Sequence, residues 1–257
     1  MNTKEQLKQL YLSEAAKEYE AIAIRCEQEG KSHLNFLDEL LYCEIEHRYQ
    51  KRIDRLLKQA KLPRRKTLES FEYKRIPGLS ISQINQLATG DFIDHCDNIL
   101  IFGNPGTGKT HLSIALAQQW CLQGRHVYYE TCVQLIQKLL QAKADLKLNQ
   151  LIKKLERFEI LIIDDISYIP CDRTETDVLF TLLSERYEMR SVLITSNLAF
   201  ADWDKIFKDK MTTNAVIDRL VHHAHILELN AESYRLEEAK GRMKKIQSSP
   251  KIIKDRI

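Results

Sequence analysis

The sequence lacks any apolar segment long enough to cross a membrane. A spanning helix takes about 18 or more consecutive apolar residues, and every stretch of that length in these 257 residues contains charged side chains. The first residues include Lys4, Glu5 and Lys8 and are not followed by the apolar core of a secretion signal. We therefore expect a cytoplasmic protein with no membrane partner.

Paired cysteines are also absent. The six cysteines are scattered without CxxC spacing, which excludes a recognisable zinc motif or disulfide framework, and we interpret them as reduced thiols. His222, His223 and His225 lie close together, but no cysteine or acidic residue follows them at ligand spacing. We expect no metal site at these histidines.

Proline and glycine are scarce in the first part of the chain. Residues 1–60 contain no proline and one glycine, and Leu34, Leu37, Leu40, Leu41 and Ile45 recur at helical spacing. Pro63, Pro77 and Gly78 then mark a linker. We predict a helical N-terminal domain over 1–66, a larger domain over 67–240 and a basic tail over 241–257.

The charge is unevenly distributed along the chain. The overall net charge is +3, but residues 51–75 carry +7 and residues 240–257 carry +6, whereas 1–50 carry −4 and 76–239 carry −6. Basic segments beside an acidic core are typical of proteins that bind a polyanion, although such runs are more often solvated surface.

The second part of the chain alternates between two kinds of segment. Short apolar runs occupy 98–102, 126–130, 160–164, 191–196 and 225–229, and longer segments of helical period lie between them. This order predicts an α/β fold with a five-stranded parallel sheet.

A phosphate-binding motif follows the first apolar run. The sequence GNPGTGKT fits GxxxxGK[ST] and lies between a predicted strand and a predicted helix. Its glycines allow the backbone amides to surround a phosphate, Lys109 can reach the β- and γ-oxygens, and Thr110 can offer a hydroxyl to Mg²⁺. The predicted nucleotide-binding residues here are Gly103, Asn104, Pro105, Gly106, Thr107, Gly108, Lys109, Thr110 and His111.

Two further apolar runs end in polar residues. Asp164 and Asp165 end the run ILIIDD, and Asn197 ends VLITSN. Since ligands bind at the carboxyl ends of parallel strands, we predict that Asp164 holds Mg²⁺ with Thr110, Asp165 activates water and Asn197 contacts the γ-phosphate. The alternative is that Asp165 and Asn197 are ordinary turn residues.

These motifs, followed by AVIDRLVHHAHILELNAESYRL, resemble the AAA+ ATPases of the DnaC/IstB branch, especially the IstB-type transposition helpers. The resemblance covers roughly 60–240. It implies an AAA+ core with a short or absent lid, ATP and Mg²⁺ as cofactors, and Arg219 as an arginine finger acting on a neighbouring subunit. It also implies that Arg235 is a sensor of bound nucleotide. Phe71 either lies near the adenine or anchors the linker by packing on the core.

The alternative for Arg219 is a surface ion pair with Asp218. For DNA contact, two basic segments are candidates, and for each lysine a solvated helix face is the alternative. The candidate residues are Arg55, Lys58, Arg64, Arg65, Lys66, Lys143, Lys147, Lys153 and Lys154.

The resemblance implies an ATP-dependent factor that assembles on double-stranded DNA through nucleotide-bridged subunit contacts and stimulates the transposase of the same element. A DnaC-like replicative helicase loader is the first alternative. A monomeric P-loop kinase or NTPase, in which Arg219 would be incidental, is the second.

Overall fold

The computed structural model describes residues 2–64, 66–166, 172–205, 210–231 and 233–234. The chain divides into two compact units, Met1–Leu56 and Leu57–Ile257. Within the described residues, no helix is long and apolar enough to cross a membrane. The domain boundary at 66 stays a prediction.

The first unit is helical. It contains α1 (Thr3–Gln9), α2 (Ala15–Gln28) and most of α3 (His33–Ala60). The α1 helix starts with a capping box in which Asn2 and Glu5 bond each other's backbone amides. The small apolar core of this unit includes Ala15, Ile22 and Leu40. Other apolar positions of the α3 repeat are exposed, namely Leu34, Leu37, Leu41 and Ile45.

The second unit is built on a five-stranded parallel sheet, which confirms the predicted α/β fold. The strands are β1 (Asn98–Gly103), β2 (Val127–Thr131), β3 (Ile160–Asp164), β4 (Ser191–Ser196) and β5 (Ala224–Leu229), in the order β2-β3-β4-β1-β5. Every strand lies within a residue of its predicted apolar run.

The helices α4 (Ile81–Thr89) and α5 (Asp91–Asp94) precede the sheet. The helices that connect its strands are α6 (Lys109–Leu122), α7 (Cys132–Ala144), α8 (Leu148–Leu155), α9 (Arg173–Arg186) and α10 (Lys210–Val221). Short 3₁₀ turns occupy Tyr73–Arg75 and Phe200–Lys205.

The sheet is buried on both faces because successive strand residues point in opposite directions. Leu100 and Phe102 join a core formed with α7, α8, α9 and α10, whereas Ile99 and Ile101 are buried on the opposite face. The α6 helix contacts β1, β2 and β4. The parallel order β3-β4-β1 places the carboxyl ends of these strands side by side, and the polar residues there lie close together.

Candidate nucleotide-binding site

The phosphate-binding motif forms a tight loop between β1 and α6. Gly103 has a φ of 152°, and a Cβ there would lie 2.5 Å from the Leu229 carbonyl oxygen. Gly108 is the N-terminal cap of α6 with a φ of 104°. Both positions require glycine, and the loop leads directly into the N-terminus of α6, where the helix dipole favours an anion.

Lys109 is directed from the start of α6 back into this loop. Its Nζ lies 2.6 Å from the Gly103 carbonyl, 3.0 Å from the Asn104 carbonyl and 2.5 Å from Asn197 Oδ1. The residue is buried, with 7% of its surface exposed. The charge is thus held at the point where the β- and γ-phosphates of a nucleotide would lie.

Asp164 is a buried acceptor for three hydroxyl groups. Thr110 Oγ1 lies 3.0 Å from each carboxylate oxygen, Thr195 Oγ1 lies 2.7 Å from Oδ1, and the Tyr129 hydroxyl lies 2.8 Å from Oδ2. Burial and then the charge of Asp164 raise the pKa of Tyr129, so Tyr129 remains a hydrogen-bond donor. The contacts fix the orientation of the carboxylate.

Asp165 and Asn197 form a second pair at the same edge. Asn197 Nδ2 donates to Asp165 Oδ1 at 2.9 Å, while the Asp165 amide donates to Thr195 Oγ1 at 2.8 Å. Asp165 has a φ of 60°, an uncommon conformation that turns the chain sharply after β3. Asn197 therefore links Lys109 to Asp165, and the predicted residues Lys109, Thr110, Asp164, Asp165 and Asn197 lie together.

Segments from both ends of the second unit contact the loop. Phe71 is buried, and a Cβ at Gly108 would lie 3.1 Å from its ring; its ring also packs edge-on against His111 at 5.3 Å. Burial lowers the pKa of His111. From the other end, the Tyr234 amide donates to the Gly106 carbonyl at 3.1 Å. Arg235, which follows Tyr234, lies outside the described residues.

Comparison with known proteins agrees with this geometry. The profile of the family described as IstB-like ATP binding protein matches residues 5–241. This chain belongs to that family.

Relatives in the IstB-like family come from several bacterial insertion sequences. An insertion-sequence ATP-binding protein of Sinorhizobium fredii is 43% identical over 84% of this chain and 73% of its own length. An insertion sequence IS21 ATP-binding protein of Pseudomonas aeruginosa is 39% identical over 82% of this chain and 81% of its own length. These matches confirm the family inferred from the sequence motifs, and they support ATP as the bound nucleotide.

Solved structures confirm the AAA+ fold of this IstB-like chain. The DnaC helicase loader superimposes with a TM-score of 0.54 at 18% identity, covering 63% of this chain and 96% of that one. DnaA of Aquifex aeolicus bound to AMPPCP gives a TM-score of 0.56 at 18% identity, covering 72% and 56%. At this identity the likeness establishes the fold alone.

Arg219 lies away from the phosphate loop of its own IstB-like chain. It sits in the last turn of α10, donates to the Ser184 hydroxyl, and its guanidinium carbon is 4.8 Å from the centre of the Phe180 ring. It lines a cavity with Asn98, which begins β1, whereas Gly103 ends that strand. In the described part of the chain, Arg219 makes no ion pair with Asp218.

The basic candidates for DNA contact lie in two segments of the chain. Arg55 and Lys58 are exposed on α3, Arg64 is exposed and Lys66 half-buried after it, and Arg65 lies outside the described residues. In the second segment, the exposed residues along α7, α8 and their connection are Lys143, Lys147, Lys153 and Lys154.

The histidine cluster has an acidic neighbour that sequence spacing did not indicate. One ligand atom from each of Glu188, His222 and His223 lies within 4.8 Å of the others, and all three residues are exposed. His225 instead faces Asp97, with Nε2 3.6 Å from Oδ2.

Sequence reasoning missed Tyr129, Thr195 and Ser184. Thr195 stands in the run VLITSN, one residue before the strand end, so the alternation of the strand was a usable signal. Tyr129 and Ser184 carry no comparable signal, because their roles depend on which strands and helices become neighbours.

Proposed function

We propose that this chain is an ATP-dependent DNA-binding factor that assembles on double-stranded DNA and recruits and stimulates the transposase of its insertion sequence. The observation that carries the proposal is the division of charged groups within one chain. Lys109, Asp164, Asp165 and Asn197 meet at the carboxyl end of the sheet, while Arg219 is held at the opposite end by α9. A chain arranged in this way needs a neighbour to complete its site.

The phosphate loop binds ATP through its amides and Lys109. The donors beside it suit Mg²⁺, since the Thr110 hydroxyl and the Asp164 carboxylate are oxygen ligands that already meet at 3.0 Å. These two residues would hold the ion, which supplies charge neutralisation on the β- and γ-phosphates. Tyr129 and Thr195 keep the Asp164 carboxylate in place.

The hydrolysis step is assigned to Asp165 and Asn197. Asp165 orients and deprotonates the attacking water, and Asn197 contacts both that water and the γ-phosphate, as its position between Lys109 and Asp165 supports. Arg235 is the sensor that reports the nucleotide state, a role supported by the contact of the preceding Tyr234 with Gly106.

Arg219 acts as an arginine finger on the nucleotide of the adjacent subunit. A guanidinium supplied by a neighbour stabilises charge that develops during phosphoryl transfer, so turnover depends on assembly. ATP thus joins subunits and hydrolysis releases them. Weak DNA contacts of single chains, from the basic residues of α3 and of α7–α8, add up when the subunits are joined.

Sedimentation of the purified chain tests this proposal. The protein is spun with a slowly hydrolysed ATP analogue, with duplex DNA, with single-stranded DNA, with each combination and alone. We expect large particles only with nucleotide and duplex together, and Lys109→Ala should remain small in every mixture. Assembly on single strands in preference to duplex would instead favour a helicase loader. A monomer under all conditions would contradict the proposal and favour a solitary NTPase.

A further inference from the structure

A leucine projects into solvent at the turn between α7 and α8. Leu146 is 94% exposed, although burial of a leucine side chain stabilises a folded protein. The α8 helix that follows buries Ile152 and Leu155. Apolar residues further along the same segment therefore pack in the core, whereas Leu146 stays in solvent.

The backbone at Leu146 is also unfavourable for leucine. Its φ is 58°, its amide donates to the Lys143 carbonyl at 3.1 Å, and the Lys147 amide donates to the Ala142 carbonyl at 2.7 Å. These two bonds define a helix-ending motif whose left-handed position usually holds glycine. A bulky residue that is both strained and exposed, with no packing to stabilise it, suggests a function at the surface.

The charges around Leu146 indicate what it contacts. Lys143 and Lys147 flank it on the turn, and Lys153 and Lys154 are exposed on α8. The one acidic residue of the turn, Asp145, accepts a hydrogen bond from the Gln141 side-chain amide at 3.0 Å. An apolar tip between cations matches a nucleic acid, which presents phosphates on either side of an apolar stack of bases.

We propose that Leu146 is a wedge that enters the minor groove of duplex DNA and partly separates two stacked base pairs, while Lys143 and Lys147 contact the phosphates on either side. Apolar side chains of this kind unstack base steps in many minor-groove proteins. The inference rests on the proposed DNA-binding function and names the residue that would deform the duplex. A protein partner is less well matched, because it would need an apolar pocket ringed by acidic groups.

The test compares Leu146→Gly with Leu146→Met in the full chain, with a slowly hydrolysed ATP analogue present. The duplex carries 2-aminopurine, whose fluorescence rises when the base loses its stacking. Wild type and Leu146→Met should raise the fluorescence at saturation. Leu146→Gly should not, and its affinity for duplex should fall at least about tenfold, as expected for the loss of one buried leucine contact.

Thermal unfolding separates this effect from damage to the fold. Glycine is favoured at this φ, so Leu146→Gly should unfold at the same temperature as wild type or higher. Lys143→Gln with Lys147→Gln is the matched control for charge: it should weaken binding and flatten its salt dependence, yet keep the fluorescence rise at saturating protein.

Two negative results have different meanings. If wild type binds duplex and Leu146→Gly matches it in affinity and in 2-aminopurine fluorescence, the wedge is wrong while the DNA-binding function stands. If wild type fails to bind duplex DNA at all, both the wedge and the proposed function are wrong.

Discussion

At the scale of single residues, Phe180 and Ser184 are the contacts that would position Arg219 if it acts as the proposed arginine finger. Phe180 and Ser184 are four residues apart on α9, and so lie on one face. The Phe180 ring stacks under the guanidinium and the Ser184 hydroxyl accepts from it. These two contacts restrict a long, flexible side chain within its own subunit.

Loss of either contact should slow ATP turnover in the assembled protein. We expect Ser184→Ala and Phe180→Leu each to reduce turnover about tenfold or more, because small displacements of a catalytic group are costly, while nucleotide affinity stays unchanged. Ser184→Thr, which keeps the hydroxyl, should retain activity. Thr181→Ala is the matched control, since the Thr181 hydroxyl donates to the Asp177 carbonyl of its own helix.

A double-mutant cycle shows whether Ser184→Ala acts through Arg219 or through a general loss of stability. In an Arg219→Ala background, Ser184→Ala should have no further effect on turnover, whereas a general loss of stability would persist there. Full activity of Ser184→Ala and Phe180→Leu beside an inactive Arg219→Ala would rule out the positioning role. The proposed role of Arg219 as an arginine finger would still stand.

Much of the candidate site is predictable at this scale, and the reason is topological. Residues at the carboxyl ends of parallel strands lie along one edge, so the strand pattern predicts Gly103, Asp164 and Asn197 at the same edge, and the order β3-β4-β1 then makes them neighbours. The Tyr129 hydroxyl on Asp164 is different. It requires β2 to be next to β3, and strand order is not written in local sequence.

At the scale of elements, α2 shows how a helix can be capped from a distance. The side chain of its own cap residue, Glu14, makes no capping hydrogen bond and instead accepts from Lys17. Instead, Glu44 on α3 accepts the amides of Glu14 and Ala15 at 2.7 and 3.0 Å, and Arg48 supports it at 2.8 Å. A capping carboxylate about thirty residues away could not be predicted from helix-start signals.

Glu44→Ala should therefore destabilise the first unit. The expected loss is about 1–2 kcal/mol, the usual effect of removing a cap or leaving buried amides unsatisfied. Hydrogen exchange of the α2 amides measures it directly. Glu46→Ala, in the same helix but exposed, is the control and should change exchange little.

The effect of Glu44→Ala should depend on pH. Burial would raise the pKa of Glu44, but the hydrogen bonds from Ala15, Arg48 and Glu14 outweigh it and hold this pKa below its ordinary value. The carboxylate thus adds stability above the unfolded-state pKa, and this contribution is lost as the pH falls through the lower folded-state pKa. The free energy of unfolding of wild type and of Glu44→Ala is measured at neutral pH and well below about pH 4. If the two proteins differ by the same amount at both pH values, the capping role of the ionised carboxylate is contradicted.

The repeat of α3 shows the limit of pattern reading for an element. Leu34, Leu37, Leu40, Leu41 and Ile45 predict a helix, and a helix is present. Leu40 alone of these five is buried, because spacing indicates the conformation but not which face has a neighbour to pack against.

At the scale of the whole molecule, the proposed function places the site and the finger at different ends of the sheet, so two chains would be needed to form an active unit. Head-to-tail contacts of this kind use two different surfaces of each subunit. Two variants that are each inactive can then complement one another. Asp165→Ala has a defective site and an intact finger, and Arg219→Ala has the reverse.

Mixing the two variants in equal amounts should restore ATP turnover. Random assembly places an Arg219→Ala site beside an Asp165→Ala finger at one contact in four, so we expect roughly a quarter of wild-type turnover if contacts act independently. Duplex DNA and ATP are present throughout, and fluorescent labels of two colours verify that the variants enter the same particles. The control mixes Arg219→Ala with a double variant that carries both Arg219→Ala and Asp165→Ala. No chain in this mixture has a finger, so it should stay inactive. An inactive mixture despite shared particles would exclude a finger in trans, because only a site and finger from the same chain would then be productive.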